Sequence, residues 1–301
     1  MTSEMTRDWL RYVCKENGGY SVPHLNDTLY LHFKGFDRIK NLDEYTAVRS
    51  IFLEGNALES LDGLEHCRNL RCLYVQQNMI ATLSSTLPTS ITVLNLSYND
   101  ISDLENIGRL VNLQTFVATH CKIRIVKNIL GLLSCPYLAS LDVQDNKIEG
   151  DSDELIRMLV LMPSLACLYL QGNPIVGSLR HYRKRVISQV ATLTYLDDRP
   201  ISALERTCAE AWASGGVRSE HDARNSYKAA EEVKMRRNQE FLGNLRKEAN
   251  MKRMELALRG RVALRRAAID YAGSSFSLTI KTEPRELANA RFTLSQLCLA
   301  S

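Results

Sequence analysis

The sequence predicts an α/β solenoid: a parallel sheet built from copies of a 22-residue unit, closed by short convex segments and capped at both ends, with a basic helical tail. Three observations carry this reading. The spacing LxxLxLxxNxL recurs from Val48 to Ile175. Successive copies lie 21 to 22 residues apart over most of that length. Inside each copy the apolar residues alternate with period two, as a short strand requires when one of its faces meets a core.

The copies are explicit. Val48, Ile51, Leu53, Asn56 and Leu58 form one; Leu70, Leu73, Val75, Asn78 and Ile80 the next; Ile91, Leu94, Leu96, Asn99 and Ile101 a third. Leu113, Phe116, Ala118, Cys121 and Ile123 follow, then Leu138, Leu141, Val143, Asn146 and Ile148, then Leu165, Leu168, Leu170, Asn173 and Ile175. An irregular opening copy, Leu29, Leu31, Lys34 and Phe36, has lysine at the asparagine position. This is a leucine-rich-repeat pattern. Asn56, Asn78, Asn99, Asn146 and Asn173 are expected to form a structural ladder, their side-chain amides pairing with the buried backbone of each turn, with Cys121 as a substitute.

A 22-residue period leaves no room for a full convex helix, so those segments are expected to be extended or 3₁₀ turns. The last two intervals lengthen to 25 and 27 residues. There DSDELIRMLVLMP reads as a helix, with Asp151 as N-cap, Glu154 three residues on and Pro163 beyond the end. Solenoid ends expose apolar cross-section and need caps. Residues 1–24 supply a front cap whose helix presents Trp9, Leu10 and Val13 and stops at Gly18 and Gly19. Repeats fill 25–176, and 177–216 form the closing cap, with Tyr182, Val186 and Val190 at four-residue spacing. Asp197 and Asp198 in that cap read as structural, since no histidine is placed to work with them.

Residues 217–270 form a basic helical tail, and 271–301 read as irregular or disordered. From Arg224 to Arg266 there are 13 basic and 5 acidic residues. That charge fits an acidic protein surface or a nucleic acid. Aromatic residues hardly interleave with it, which argues against RNA.

Composition excludes several functions. The chain is 45% hydrophobic and 24% charged, and its longest apolar stretch is broken by Arg157 and Pro163, so a membrane role is not expected. The N-terminal residues carry Glu4, Arg7 and Asp8 where a secretion signal needs an apolar run, and an intracellular, soluble chain is expected. Eight scattered cysteines form no CxxC pair and read as small buried hydrophobes. No phosphate loop, nucleophile elbow, HExxH or calcium loop occurs, so no catalytic residue, metal site, cofactor or small-molecule substrate is expected. His32 and His120 are the histidines expected on or beside the strands.

What the repeat exposes is its concave sheet. The middle outward position runs Tyr30, Phe52, Tyr74, Asn95, Val117, Asp142 and Tyr169; its neighbour runs His32, Glu54, Gln76, Ser97, Thr119, Gln144 and Gln171. Strands about 4.8 Å apart set Tyr30, Phe52 and Tyr74 side by side. With Glu54, Gln76 and Tyr169 they are the candidate protein-binding residues, large rigid anchors beside polar groups. The alternative is that the rings only shield one another.

Two segments go beyond a generic repeat: LNDTLYLHFKGFDRIKNLDEYTAV at the front and LTYLDDRPISALERTCAEAWASGG after the last copy. Both closely resemble the dynein axonemal assembly factor 1 family, over about residues 5–216. The resemblance implies a non-enzymatic scaffold for dynein arm assembly, cytoplasmic and ciliary or flagellar, with axonemal dynein chains or assembly chaperones as partners. Lys34, the loosened stretch Ser85 to Pro88 and the short chain after the tail depart from the family pattern. Related leucine-rich-repeat adaptors, such as phosphatase regulatory subunits and components of RNA–protein particles, share the solenoid and form the alternative.

Overall fold

A parallel strand cannot hairpin to the next, so each must return by a crossover, and the repeat supplies it. The computed structural model describes residues 4–273; the segment from 274 to 301, with most of the expected irregular tail and Cys298, lies outside the described residues. Two compact units are present, Met1–Ala229 and Ala230–Ser301.

In the first unit nine strands form one sheet in chain order. They are β1 (Thr28–Tyr30), β2 (Ser50–Phe52), β3 (Cys72–Tyr74), β4 (Val93–Asn95), β5 (Thr115–Val117), β6 (Ser140–Asp142), β7 (Cys167–Tyr169), β8 (Tyr195–Leu196) and β9 (Arg199–Pro200). The first eight pair in parallel and β9 returns antiparallel on β8. The register is that of the repeat: Leu29, Ile51, Leu73, Leu94, Phe116, Leu141, Leu168 and Leu196 stand opposite one another and are buried. The remaining template leucines join them in one continuous core.

The turn after each strand is buried, and asparagine satisfies it. Asn99 donates from Nδ2 to Val75 O (2.9 Å) and Leu96 O (2.8 Å), and its Oδ1 accepts from Ile80 N (3.0 Å). Asn56, Asn78, Asn146 and Asn173 repeat the arrangement. Each thus binds its own turn to the preceding one. Lys34 needs no amide of its own, because its N–H and that of Phe36 both donate to Asn56 Oδ1. At Cys121 the thiol donates to Leu96 O and Thr119 O at 3.4 and 3.6 Å. It has no amide oxygen to offer Ile101 N, so this rung is weaker.

Convex segments are short, as a 22-residue period demands, with 3₁₀ turns at Glu105–Arg109 and Val126–Ser134. In the longest interval α2 (Ser152–Val160) is a true helix, N-capped by Asp151, whose carboxylate accepts from Asp153 N at 2.8 Å.

The front cap helix α1 (Arg7–Glu16) buries Leu10, Val13 and Cys14 and sets Trp9 edge-on to Phe36 at 4.8 Å. Arg7 and Arg11 reach Asp43 and Glu44, but these half-exposed pairs contribute about 0–1 kcal/mol each, so apolar burial dominates the docking. At the back, α3 (Pro174–Ser178) and α4 (Tyr182–Gln189) precede β8. Asp197 is buried just past Leu196, and its carboxylate accepts from Leu170 N at 2.9 Å, the N–H that in earlier repeats goes to a carbonyl of the next strand. Arg183 locks the closing hairpin to the first turn of α5 (Ala203–Gly273): its guanidinium bonds Glu205 at 2.6 and 2.9 Å and donates to Leu196 O and Pro200 O. Helix α5 departs from helical backbone at Gly215 and Gly216, and Glu220 beyond them is buried against Lys184. In the second unit, α5 runs on with exposed side chains.

Removing the amide at Asn99 strands buried backbone groups. Asn99→Ala is therefore expected to lower unfolding free energy by about 1–3 kcal/mol, whereas Cys121→Asn, which restores an acceptor for Ile101 N, is expected to raise it by about 1 kcal/mol. Urea melts followed by circular dichroism measure both, and unchanged midpoints contradict the ladder. The Arg183 guanidinium also holds the Glu205 carboxyl below its ordinary range. That stabilisation is complete above the unfolded carboxyl's pKa and is lost as pH falls from there through the lowered folded value. Arg183→Met is expected to lower the urea midpoint at pH 7 and to shrink the difference from wild type in acid; a difference constant with pH contradicts the pairing.

Candidate protein-docking site

Because Tyr30, Phe52 and Tyr74 are register partners on adjacent strands, their rings have one spacing available. Tyr30 lies on Phe52 at 5.1 Å and 13°, and Phe52 on Tyr74 at 4.8 Å and 7°. Both faces of Phe52 are covered, leaving ring edges and the two phenol groups toward the concave side. Tyr30 remains 40% exposed. Burial, with smaller contributions from Cys72 and Glu54, pushes the Tyr74 phenol upward, so it is a neutral hydrogen-bonding group at physiological pH.

Two residues further along, His32, Glu54 and Gln76 form a second row. His32 Nδ1, Glu54 Oε2 and Gln76 Oε1 are shielded from solvent and make no hydrogen bond within the described protein; His32 Nδ1 is 4.0 Å from Glu54 Oε1. The middle of the sheet is different. Asn95 Oδ1 accepts from Ser97 N, Ser97 Oγ accepts from Thr119 N, and Asp142 Oδ1 accepts from Gln144 N. Polar groups there are satisfied internally, with burial still raising the Asp142 carboxyl. The unsatisfied polar atoms of the concave face concentrate beside the aromatic stack.

The structure brings five of the six candidate residues together: Tyr30, Phe52, Glu54, Tyr74 and Gln76. Tyr169 stands apart on β7, its ring 5.6 Å from Tyr195. Sequence reading did not single out Tyr195, nor a further strip in the turn column preceding the ladder. There Tyr98 stacks on His120 at 4.4 Å, and His120 Nε2 lies 3.3 Å from Asp145. The column is left-handed throughout, including Phe33, Gln77, Tyr98, His120 and Asp145. At Gly55, where φ is +66°, an added Cβ would sit 2.2 Å from the Phe33 ring, so that ring occupies the space a side chain would need. One position before each ladder residue is the signal that locates this strip.

Burial pushes Cys67 and Cys135 up to about 11, so they are thiols at neutral pH. Among the described residues no group of three His, Cys, Asp or Glu is placed to hold a metal ion, and no helix is long and apolar enough to cross a membrane.

Comparison with known proteins finds a repeat model and related chains. Residues 88–104 match the family model described as Leucine Rich repeat. Among solved structures, an internalin from Listeria monocytogenes superposes with a TM-score of 0.46 and 17% identity, covering 60% of this chain and 57% of its own. The leucine-rich repeat-containing protein ODA7 of Chlamydomonas reinhardtii is 39% identical over 299 residues, covering 98% of this chain and 68% of the relative. Dynein axonemal assembly factor 1 of Homo sapiens is 38% identical over 252 residues, 83% of this chain but 34% of the human protein. The first of these matches spans nearly the whole chain and two thirds of the relative, and on that ground the chain belongs to the dynein axonemal assembly factor 1 family of leucine-rich-repeat proteins.

Proposed function

We propose that the chain is a non-enzymatic docking scaffold for the assembly of axonemal dynein arms, acting in the cytoplasm and serving the motile cilium or flagellum. Its partners are axonemal dynein chains or assembly chaperones. The names of its relatives supply the process, and the site supplies the mode of action.

The observation that carries the reading is the pairing of a rigid three-ring stack with three unsatisfied polar atoms. Each buried, unpaired polar group costs about 1–3 kcal/mol. A partner that brings donors to Glu54 Oε2 and Gln76 Oε1 relieves that cost while covering ring edges already ordered by the sheet, so little side-chain entropy is lost. Rings and acceptors together favour a partner segment with an apolar residue beside an arginine, lysine or amide donor. Tyr169 contributes a separate contact on β7. The tail adds an electrostatic contact to an acidic protein surface.

A Tyr30→Ala, Phe52→Ala, Tyr74→Ala triple variant tests the patch. It is expected to keep the wild-type circular dichroism spectrum and to lose at least tenfold in its capture of axonemal dynein chains or assembly chaperones from a flagellated-cell extract, equivalent to about 1.4 kcal/mol. A folded variant that retains those partners at wild-type levels contradicts docking through the rings.

A further inference from the structure

The sheet has two ends, and they are finished differently. At the far end β9 folds back on β8 and carries Pro200, which has no N–H to offer a further strand. At the near end the cap helix α1 packs against β1, but among the described residues no strand pairs with its outer edge. Ser50 N donates to Asp27 O, while Leu31 N and Phe33 N donate to Phe52 O and Glu54 O. Residues 27, 31 and 33 therefore direct their backbone groups toward β2. Strand alternation turns the N–H and C=O of Thr28 and Tyr30 the other way, and among the described residues no backbone hydrogen bond from the front cap reaches them.

Beside this open edge lies a cavity of about 240 Å³, lined by Val13, Cys14, Gly18, Tyr20, Leu25 and Tyr30 among others. Tyr20 and Leu25 on its cap side are exposed apolar residues. Asp27 also lines it and is exposed; its carboxylate accepts from Thr28 Oγ1 at 3.0 Å and forms no ion pair among the described residues. An edge of unpaired backbone, a trough of mixed polar and apolar lining with Val13, Tyr20 and Leu25 on its apolar side, and one exposed carboxylate together specify a ligand.

We propose that the outer edge of β1 is a second docking surface, which takes an extended segment of a partner protein as an added strand. That segment places an apolar side chain in the trough and a lysine or arginine opposite Asp27. The surface is separate from the concave patch: Tyr30 presents its ring to one and its backbone to the other.

The test is selection of a random decapeptide phage library on the immobilised full chain, followed by synthesis of the enriched peptides. The expected peptides alternate apolar and polar residues and carry a basic one. They slow hydrogen exchange at the Thr28 and Tyr30 amides, and N-methylation of alternate peptide amides weakens them at least tenfold in one parity while leaving the other within twofold. Thr28→Pro, which removes an outward N–H without touching β2, is expected to weaken them at least tenfold. Should that variant fail to fold, Asp27→Lys, which changes only an exposed carboxylate, is expected to weaken the basic peptides to the same degree. The proposal is overturned if no peptide enriches, or if the enriched peptides leave the Thr28 and Tyr30 amides unprotected. It is overturned equally if those amides are already protected without peptide, whether in proportion to protein concentration, which puts a second copy on the edge, or independently of it, which puts the chain's own residues there.

Discussion

A solenoid has to bury a turn in every repeat, and a buried turn leaves backbone carbonyls and amides without water. Asparagine at one position answers that demand, because its short side chain carries two donors and an acceptor and reaches both its own turn and the preceding one. Asn56, Asn78, Asn99, Asn146 and Asn173 each bridge two repeats in this way. The leucines provide the larger apolar stabilisation, but apolar burial is non-directional. The amide ladder fixes the register, and everything on the concave face inherits it.

The candidate site follows from that constraint. Tyr30, Phe52 and Tyr74 stack nearly parallel because the ladder holds β1, β2 and β3 in line, with no slip to offset the rings. The same register aligns His32, Glu54 and Gln76, three side chains that each leave a polar atom unpaired where Asn95, Ser97 and Asp142 do not. Docking potential is thus concentrated at the N-terminal end. That end also holds the unblunted sheet edge, while Arg183, Pro200 and the start of α5 close the other.

Much of this was legible in the residues. Period-two leucines and the regular asparagine gave the strands, their order and the ring stack, because side-chain direction in a strand is fixed by parity alone. Asp151 marked α2 for an equally local reason. Other features depended on tertiary geometry. Asp197 read only as structural, although its carboxylate replaces a strand carbonyl as the acceptor for Leu170 N, because it lies in a closing segment that no longer follows the template. Tyr98, His120 and Asp145 were missed because their left-handed turn brings side chains together outside the strand alternation. Grouping Tyr169 with the N-terminal rings was a matter of residue type; its neighbour in space is Tyr195, from the cap.

The central claim is that the concave N-terminal face grips a protein of the dynein assembly process. Site-specific photocrosslinking from a benzophenone amino acid at Phe52, in a flagellated cell assembling its axoneme, tests this most directly. The account predicts crosslinks to axonemal dynein chains or their assembly chaperones that are absent when the same group is placed at convex Arg109. Crosslinks to a phosphatase catalytic subunit or a spliceosomal component, or equal yields from both positions, would contradict it.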